Sequence, residues 1–275
     1  MSKKQRRKQQ RQLDMAVATI QRRYGPRALV KGKPVSAVGS TTGNVPHIPT
    51  GFPPLDRALG IGGLPKGKVC ELLGPATSGK TTLALKFLAQ AQAGGGQVAY
   101  VDQALYFDPD YAYRCHLDLS RLLVGTSHDL REALAMTEAL VRSGGLAALV
   151  LDVLDFLWTD PEAAPFLAAT LNRLPAALAR SGMILLVLHE PPVSGSSPGG
   201  SPPGGSPPGG SPALSALAHY AAVRLQVVRE QWLHLHSDIR GYQARVEVLK
   251  NRLGPAGRAV SLTIEFNGTV RGNGL

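Results

Sequence analysis

The spacing of apolar and polar residues changes character several times along the chain. Near the start, Leu13, Ala16, Ile20 and Tyr24 recur at helical spacing, and Gly25-Pro26 closes the run. A stretch rich in Gly, Ser, Thr and Pro, about residues 36–49, leads into PPLDRAL between turn residues, which predicts a short helix. Short apolar runs then alternate with amphipathic ones. VCELL, QVAYVD, RLLVG, LAALVLD and MILLVLH read as strands; residues 79–93, 128–142 and 162–180, and a short segment from Pro109, read as helices. Strands apolar on both faces and separated by helices predict a mainly parallel sheet flanked by helices, an α/β fold. After a helical ALSALAHYA, the segments AAVRLQVVREQW, GYQARVEVLKN and AVSLTIEFNG alternate with period two, so antiparallel strands should extend the sheet at its C-terminal end.

One segment fits neither period. VSGSSPGGSPPGGSPPGGSP, residues 193–212, follows directly on the last parallel strand and precedes the period-two segments. Proline donates no backbone hydrogen bond and glycine resists ordering, so a flexible loop within the fold is expected. It holds no Lys, Arg or aromatic side chain with which to grip a phosphate or stack a base. A collagen-like reading fails because glycine does not recur every third residue.

At 275 residues and 44% hydrophobic, the chain can bury one good core. No apolar run is long enough to span a bilayer, and no apolar segment follows the basic N-terminus, so the expectation is a cytoplasmic protein without membrane contact. Cys70 and Cys115 lack metal-ligand or disulfide-framework spacing. The net charge of +11 is concentrated: residues 1–33 carry eleven Lys or Arg and one acid, leaving the other 242 residues at +1. Lys3, Lys4, Arg6, Arg7, Lys8 and Arg11 form a basic arm, residues 1–12, expected to be disordered and able to hold nucleic-acid phosphates without reading sequence. The expected organisation is that arm, an N-terminal helix and linker over 13–49, and a core over 50–275 that contains the 193–212 loop.

The strongest chemical signal lies between VCELL and its helix. Gly74-Pro75-Ala76-Thr77-Ser78-Gly79-Lys80-Thr81 is a complete GxxxxGKT loop, followed by Thr82. Glycines there let backbone N–H groups converge on a phosphate at a helix N-terminus, a lysine reaches the β and γ oxygens, and a hydroxyl serves Mg²⁺. An acid at the end of a neighbouring strand should hold the metal through water, and Asp152, closing LAALVLD, is the candidate.

Taken together, HIPTGFPPLDRALGIGGLPKGKVCELLGPATSGKTTLALKFL, YVDQALYFDPDYA, LVLHE, HYAAVRL and RVEVLKNRLGPAGRAVSLTIEF resemble the bacterial RecA recombinases, in order, over roughly residues 13–270. The resemblance implies a RecA-like P-loop NTPase core with a small N-terminal helical segment, and ATP with Mg²⁺ as ligands. Asp108 and Tyr111 match the positions that read and stack adenine. Phe266 matches a tyrosine at the nucleotide edge. Lys250 and Arg252 match two lysines that reach a neighbour's γ-phosphate across a filament interface.

Departures accompany the match. Ala104 stands where the family has the glutamate that activates the attacking water, so hydrolysis is expected to be slow or absent unless Glu190 or, less favourably, Asp102 substitutes. His189-Glu190 replaces the family's Asn-Gln sensor; Glu190 is either a relocated base or the mark of a decayed sensor. Both DNA-contacting loops differ, the first reduced to LWTDPEAAP and the second replaced by the 193–212 repeat. The expected function is therefore an ATP-binding RecA-like accessory protein of DNA repair or recombination. It would bind single-stranded DNA through the arm, with a recombinase or polymerase as partner. The alternative is a genuine strand-exchange recombinase that self-associates into filaments on single-stranded DNA.

Overall fold

The computed structural model describes residues 45–153, 163–190, 212–235, 238–266 and 270–272, and residues 11, 15, 18, 19, 22 and 23 further upstream. Contacts divide the chain into two units, Met1–Thr41 and Thr42–Leu275. In the first, the described residues are helical and exposed, Arg11 among them. Lys3 to Lys8, residues 157–162 of the first altered loop and residues 193–211 of the second lie outside the described residues.

The second unit opens with β1 (His47–Ile48), paired antiparallel with β2 (Leu64–Pro65) around α1 (Pro53–Leu59). Thr50 fixes this corner by donating from its backbone N and its Oγ1 to Asp56 Oδ1, at 2.9 and 2.7 Å. The core therefore begins upstream of residue 50, inside the expected linker; two-residue strands are too short to show a period in the sequence.

The remaining elements are β3 (Val69–Leu73), α2 (Lys80–Ala93), β4 (Gln97–Asp102), α3 (Pro109–Arg114), β5 (Leu122–Thr126), α4 (Leu130–Ser143), β6 (Leu146–Asp152), α5 (Ala163–Ser181), β7 (Ile184–His189), α6 (Pro212–Tyr220), β8 (Val223–Leu235), β9 (Asp238–Asn251), β10 (Ala259–Glu265) and β11 (Val270–Gly272). One nine-stranded sheet has the order β11-β10-β9-β8-β3-β7-β6-β4-β5. Strands from β5 to β8 along that order pair in parallel, and β8 to β11 antiparallel.

Alternation within β3, β4, β6 and β7 supplies two cores. Cys70, Leu72, Val98, Tyr100, Val150, Ile184, Leu186 and Leu188 pack with α2 residues such as Leu83, Phe87 and Leu88. Their neighbours Val69, Ala99, Val101, Leu149, Leu151, Leu185 and Val187 pack with Leu130 and Leu134 of α4 and Leu167, Leu171 and Leu174 of α5. This double coverage is why the strands read as unbroken apolar runs.

Beyond their carboxyl ends the parallel strands remain tied together. Gly74 N donates to His189 O, Val153 N to Leu188 O, Gln103 N to Asp152 O and Ser127 N to Asp102 O. The four bonds make a rim from which the next residues emerge, at the end of the sheet where α/β proteins place their ligands. Among the described residues no helix is long and apolar enough to cross a membrane.

Candidate nucleotide site

Glycine at two points of the loop after β3 is enforced by contact. A Cβ on Gly74 would lie 2.2 Å from Val227 O, and one on Gly79, at φ 103°, would lie 2.5 Å from Ile264 Cδ1 and 2.9 Å from the Tyr242 hydroxyl. The antiparallel extension thus presses directly on the loop. Thr77 sits at φ 58°, uncommon for a β-branched residue, and Arg229 of β8 donates to its Oγ1 at 2.9 Å. The Arg229 guanidinium lies 4.1 Å above the Trp232 ring, a cation–π contact that holds it in place.

Lys80, the first residue of α2, is buried. Its Nζ donates to Gly74 O at 2.6 Å and Pro75 O at 2.9 Å, and reaches Glu190 Oε1 at 3.3 Å. Asp152 closes β6 with its Oδ2 accepting from Tyr100 Oη at 2.5 Å. Burial pushes the Asp152 carboxyl up to about 6; Asp102 and Glu190 add to the rise, while the Tyr100 bond and Lys80 oppose it. Asp102 itself accepts from the backbone N–H groups of Tyr106, at 3.3 Å, and Phe107, at 2.8 Å. It holds the loop after β4 and is not among the residues that line the cavity described below.

Beside the phosphate loop, Lys80 and Asp152 lies a cavity of about 540 Å³. Thr77, Ser78, Lys80, Thr81, Asp152 and Glu190 line part of it, Ala104 presents its methyl group, and Tyr106, Tyr111 and Tyr242 supply aromatic wall. Tyr111 is anchored by a 2.7 Å hydrogen bond between its hydroxyl and Thr82 Oγ1, with Arg114 5.5 Å over its ring. Asp108 is the N-cap of α3, its Oδ1 accepting from Asp110 N and Tyr111 N at 2.9 and 3.1 Å; it orients the helix that carries Tyr111 and is not among the lining residues.

Three other expected site residues, Phe266, Lys250 and Arg252, are not among those that line this cavity. Phe266 is 48% exposed and packs 6.2 Å from Tyr242 and 6.3 Å from Trp232; Tyr242 lines the cavity and Phe266 does not. Lys250 donates to Ala218 O at 2.5 Å and His219 O at 3.3 Å, and Arg252 also donates to His219 O. Both cations satisfy the last carbonyls of α6, where positive charge is favoured. Burial, Arg252 and Arg224 hold the Lys250 ammonium below the usual lysine range.

The residues fit a phosphate ligand with a metal. Ser78 Oγ is buried without a hydrogen-bond partner among the described residues, at the cavity wall, and a phosphate oxygen would satisfy it. Thr81 and Asp152 are the hard oxygen donors that Mg²⁺ takes together with phosphates. No cluster of His, Cys, Asp or Glu among the described residues could hold a metal by itself, so the phosphates would have to complete its shell.

Comparison with known proteins covers most of the chain. The family described as RecA N-terminal domain matches residues 11–186. The RecA proteins of Frankia alni and Brucella anthropi are 35% and 34% identical over 278 and 276 residues, covering 95% of this chain and 76% and 73% of theirs. That of Bartonella tribocorum is 37% identical over 268 residues, covering 92% of this chain and 74% of its own length. The chain belongs to the RecA family. It is thus one of a family of ATP-binding proteins of DNA recombination and repair, and the resemblance read from the phosphate loop onward holds for nearly the whole sequence.

Sequence reasoning about this RecA-family chain missed a buried ionic group. Glu71, fully buried in β3, accepts from His189 Nε2 at 2.7 Å and from Arg224 Nε and Nη2 at 2.5 and 3.1 Å. The His189 ring also lies 3.1 Å, through Nδ1, from Glu190 O. Strands β3, β7 and β8 are cross-tied directly beneath the phosphate loop. The available signal was a glutamate in the middle of VCELL, where an acid has no business without partners.

Proposed function

We propose that this RecA-family chain binds ATP with Mg²⁺ and acts in DNA repair or recombination as an accessory protein that hydrolyses ATP slowly or not at all. The observation that carries the reading is the methyl group of Ala104 at the cavity wall, at the position where the family resemblance puts a water-activating glutamate. Gly74 to Thr82 would cradle the phosphates, Lys80 would meet the β and γ oxygens, Thr81 and Asp152 would hold the metal, and Tyr111 would stack the base. Bound Mg²⁺ would neutralise charge on the phosphates. With no carboxylate at 104, nothing there can take a proton from water, a function worth roughly 10²–10⁴ in rate. DNA contact is assigned to Lys3, Lys4, Arg6, Arg7, Lys8 and Arg11, since the 193–212 repeat has no group for it.

ATP turnover measured with and without single-stranded DNA, beside a Lys80→Ala control that loses nucleotide binding, tests the reading. Binding with turnover barely above the control supports it; DNA-stimulated turnover and continuous filaments would establish the strand-exchange alternative. Deleting residues 1–12 should abolish DNA binding and leave ATP binding intact. If all six cations of the arm contact phosphates, affinity for single-stranded DNA falls with salt at a logarithmic slope of about −4.

Glu190 makes a separate prediction. Its carboxylate pairs with Lys80 at 3.3 Å and would face a γ-phosphate as a like charge. Glu190→Gln should tighten ATP binding about tenfold and ADP binding much less. Calorimetric titration of both nucleotides measures this; an unchanged ATP-to-ADP ratio would mean that the side chain swings clear on binding.

A further inference from the structure

We propose that Tyr242 of β9, and not Phe266, is the second wall of the base site, opposing Tyr111. The inference rests on the reading of the cavity as a nucleotide site.

Three observations converge on Tyr242. It lines the cavity and is 7% exposed, whereas Phe266 is 48% exposed and does not line it. Its hydroxyl sits against Gly79, at the 2.9 Å that a Cβ there would meet, so the ring is fixed at the N-terminus of α2, from which Tyr111 is anchored through Thr82. The ring is also buttressed: Trp232 meets it at 5.8 Å, nearly edge-on at 79°, Phe266 packs on both, and Arg229 lies 4.1 Å over the Trp232 ring while bonding to Thr77 of the phosphate loop. An aromatic face held by a second layer of rings presents a rigid stacking surface at low entropic cost. Burial pushes the Tyr242 hydroxyl up to about 12, so it stays neutral and the wall carries no charge towards the ligand.

Inorganic tripolyphosphate with Mg²⁺ uses the phosphate cradle and carries no base, so it separates stacking from loop support. In the full chain, Tyr242→Leu should weaken ATP binding about tenfold, the range of one base–aromatic stack, and leave tripolyphosphate binding within about twofold of the parent. Tyr242→Phe should retain ATP affinity, and Phe266→Leu should cost less than about threefold. With Trp158→Phe as background, the fluorescence of Trp232 should change on adding ATP and not on adding tripolyphosphate. Equal loss of both ligands in Tyr242→Leu overturns the proposal and makes the residue a support of the loop. A larger loss in Phe266→Leu than in Tyr242→Leu also overturns it, as does a parent protein that binds ATP no better than tripolyphosphate. If the parent binds neither, the nucleotide reading itself fails and this inference with it.

Discussion

Ala104→Glu raises ATP turnover by roughly a hundredfold or more, within the general-base contribution of about 10²–10⁴. The expectation depends on where residue 104 stands. It is two residues past β4, where Gln103 N is bonded to Asp152 O, and its methyl group already faces the cavity shared by Lys80, Thr81 and Asp152. Ala104 is only 6% exposed, so a longer side chain there has to enter the cavity that the residue lines. Its carboxylate would share the site with Glu190 and Asp152, with Lys80 as the cation facing them, so part of its effect is lost to mutual repulsion. The double variant Ala104→Glu, Glu190→Gln should therefore exceed the single one. Phosphate release under saturating ATP measures both. Should Glu190→Gln instead extinguish turnover present in the parent, Glu190 is the working base and the reading of a silent site is wrong.

The second large effect is on stability. Glu71→Ala leaves His189 and Arg224 without the carboxylate that pairs them beneath the phosphate loop. Breaking a buried pair by removing one partner costs about 3–5 kcal/mol. Arg224 is 24% exposed at its side chain and can turn to water, which favours the lower end. At about 2–4 °C per kcal/mol for a unit of this size, the melting temperature should fall by roughly 10 °C. Glu71→Gln, which keeps the shape and one acceptor, should lose less. The pH dependence has a definite sign. Burial alone would raise the Glu71 carboxyl, but the hydrogen bonds and charges of His189 and Arg224 outweigh it and hold the group below its ordinary 4.5. Its stabilisation is thus complete above about pH 4.5 and is lost as pH falls through the depressed value. Thermal melts of parent and Glu71→Ala should converge towards acid pH; curves that stay parallel would show that the carboxylate contributes nothing.

What could be read in advance followed from period and from covalent order. The parallel strands announce themselves because both faces are buried, and the phosphate loop because glycine, lysine and threonine must fall at fixed offsets between a strand and a helix. Position in the third dimension was harder. Matching Phe266 to a nucleotide-edge tyrosine locates it along the chain, yet whether it or Tyr242 reaches the cavity depends on the pairing of β9 with β10, where Tyr242 stands opposite Ile264. That Lys250 and Arg252 also bond the α6 carbonyls is invisible in the sequence, because those carbonyls belong to residues about thirty positions upstream. Glu71 reads as an oddity in a strand because its partners belong to two other strands. In each case the deciding contact joins residues far apart in sequence, where no local pattern can register it.

The hydrogen-bonded rim of strand ends has a consequence for how such a site can change over time. The bonds by which Gly74, Gln103, Val153 and Ser127 close the rim are all main-chain bonds. The side chain at 104 therefore takes no part in building the ledge it stands on. A substitution at 104 can remove or restore a proton-accepting group while leaving the four main-chain bonds of the rim in place. Loss of hydrolysis by that route would be a single step at a position outside the rim's own bonding.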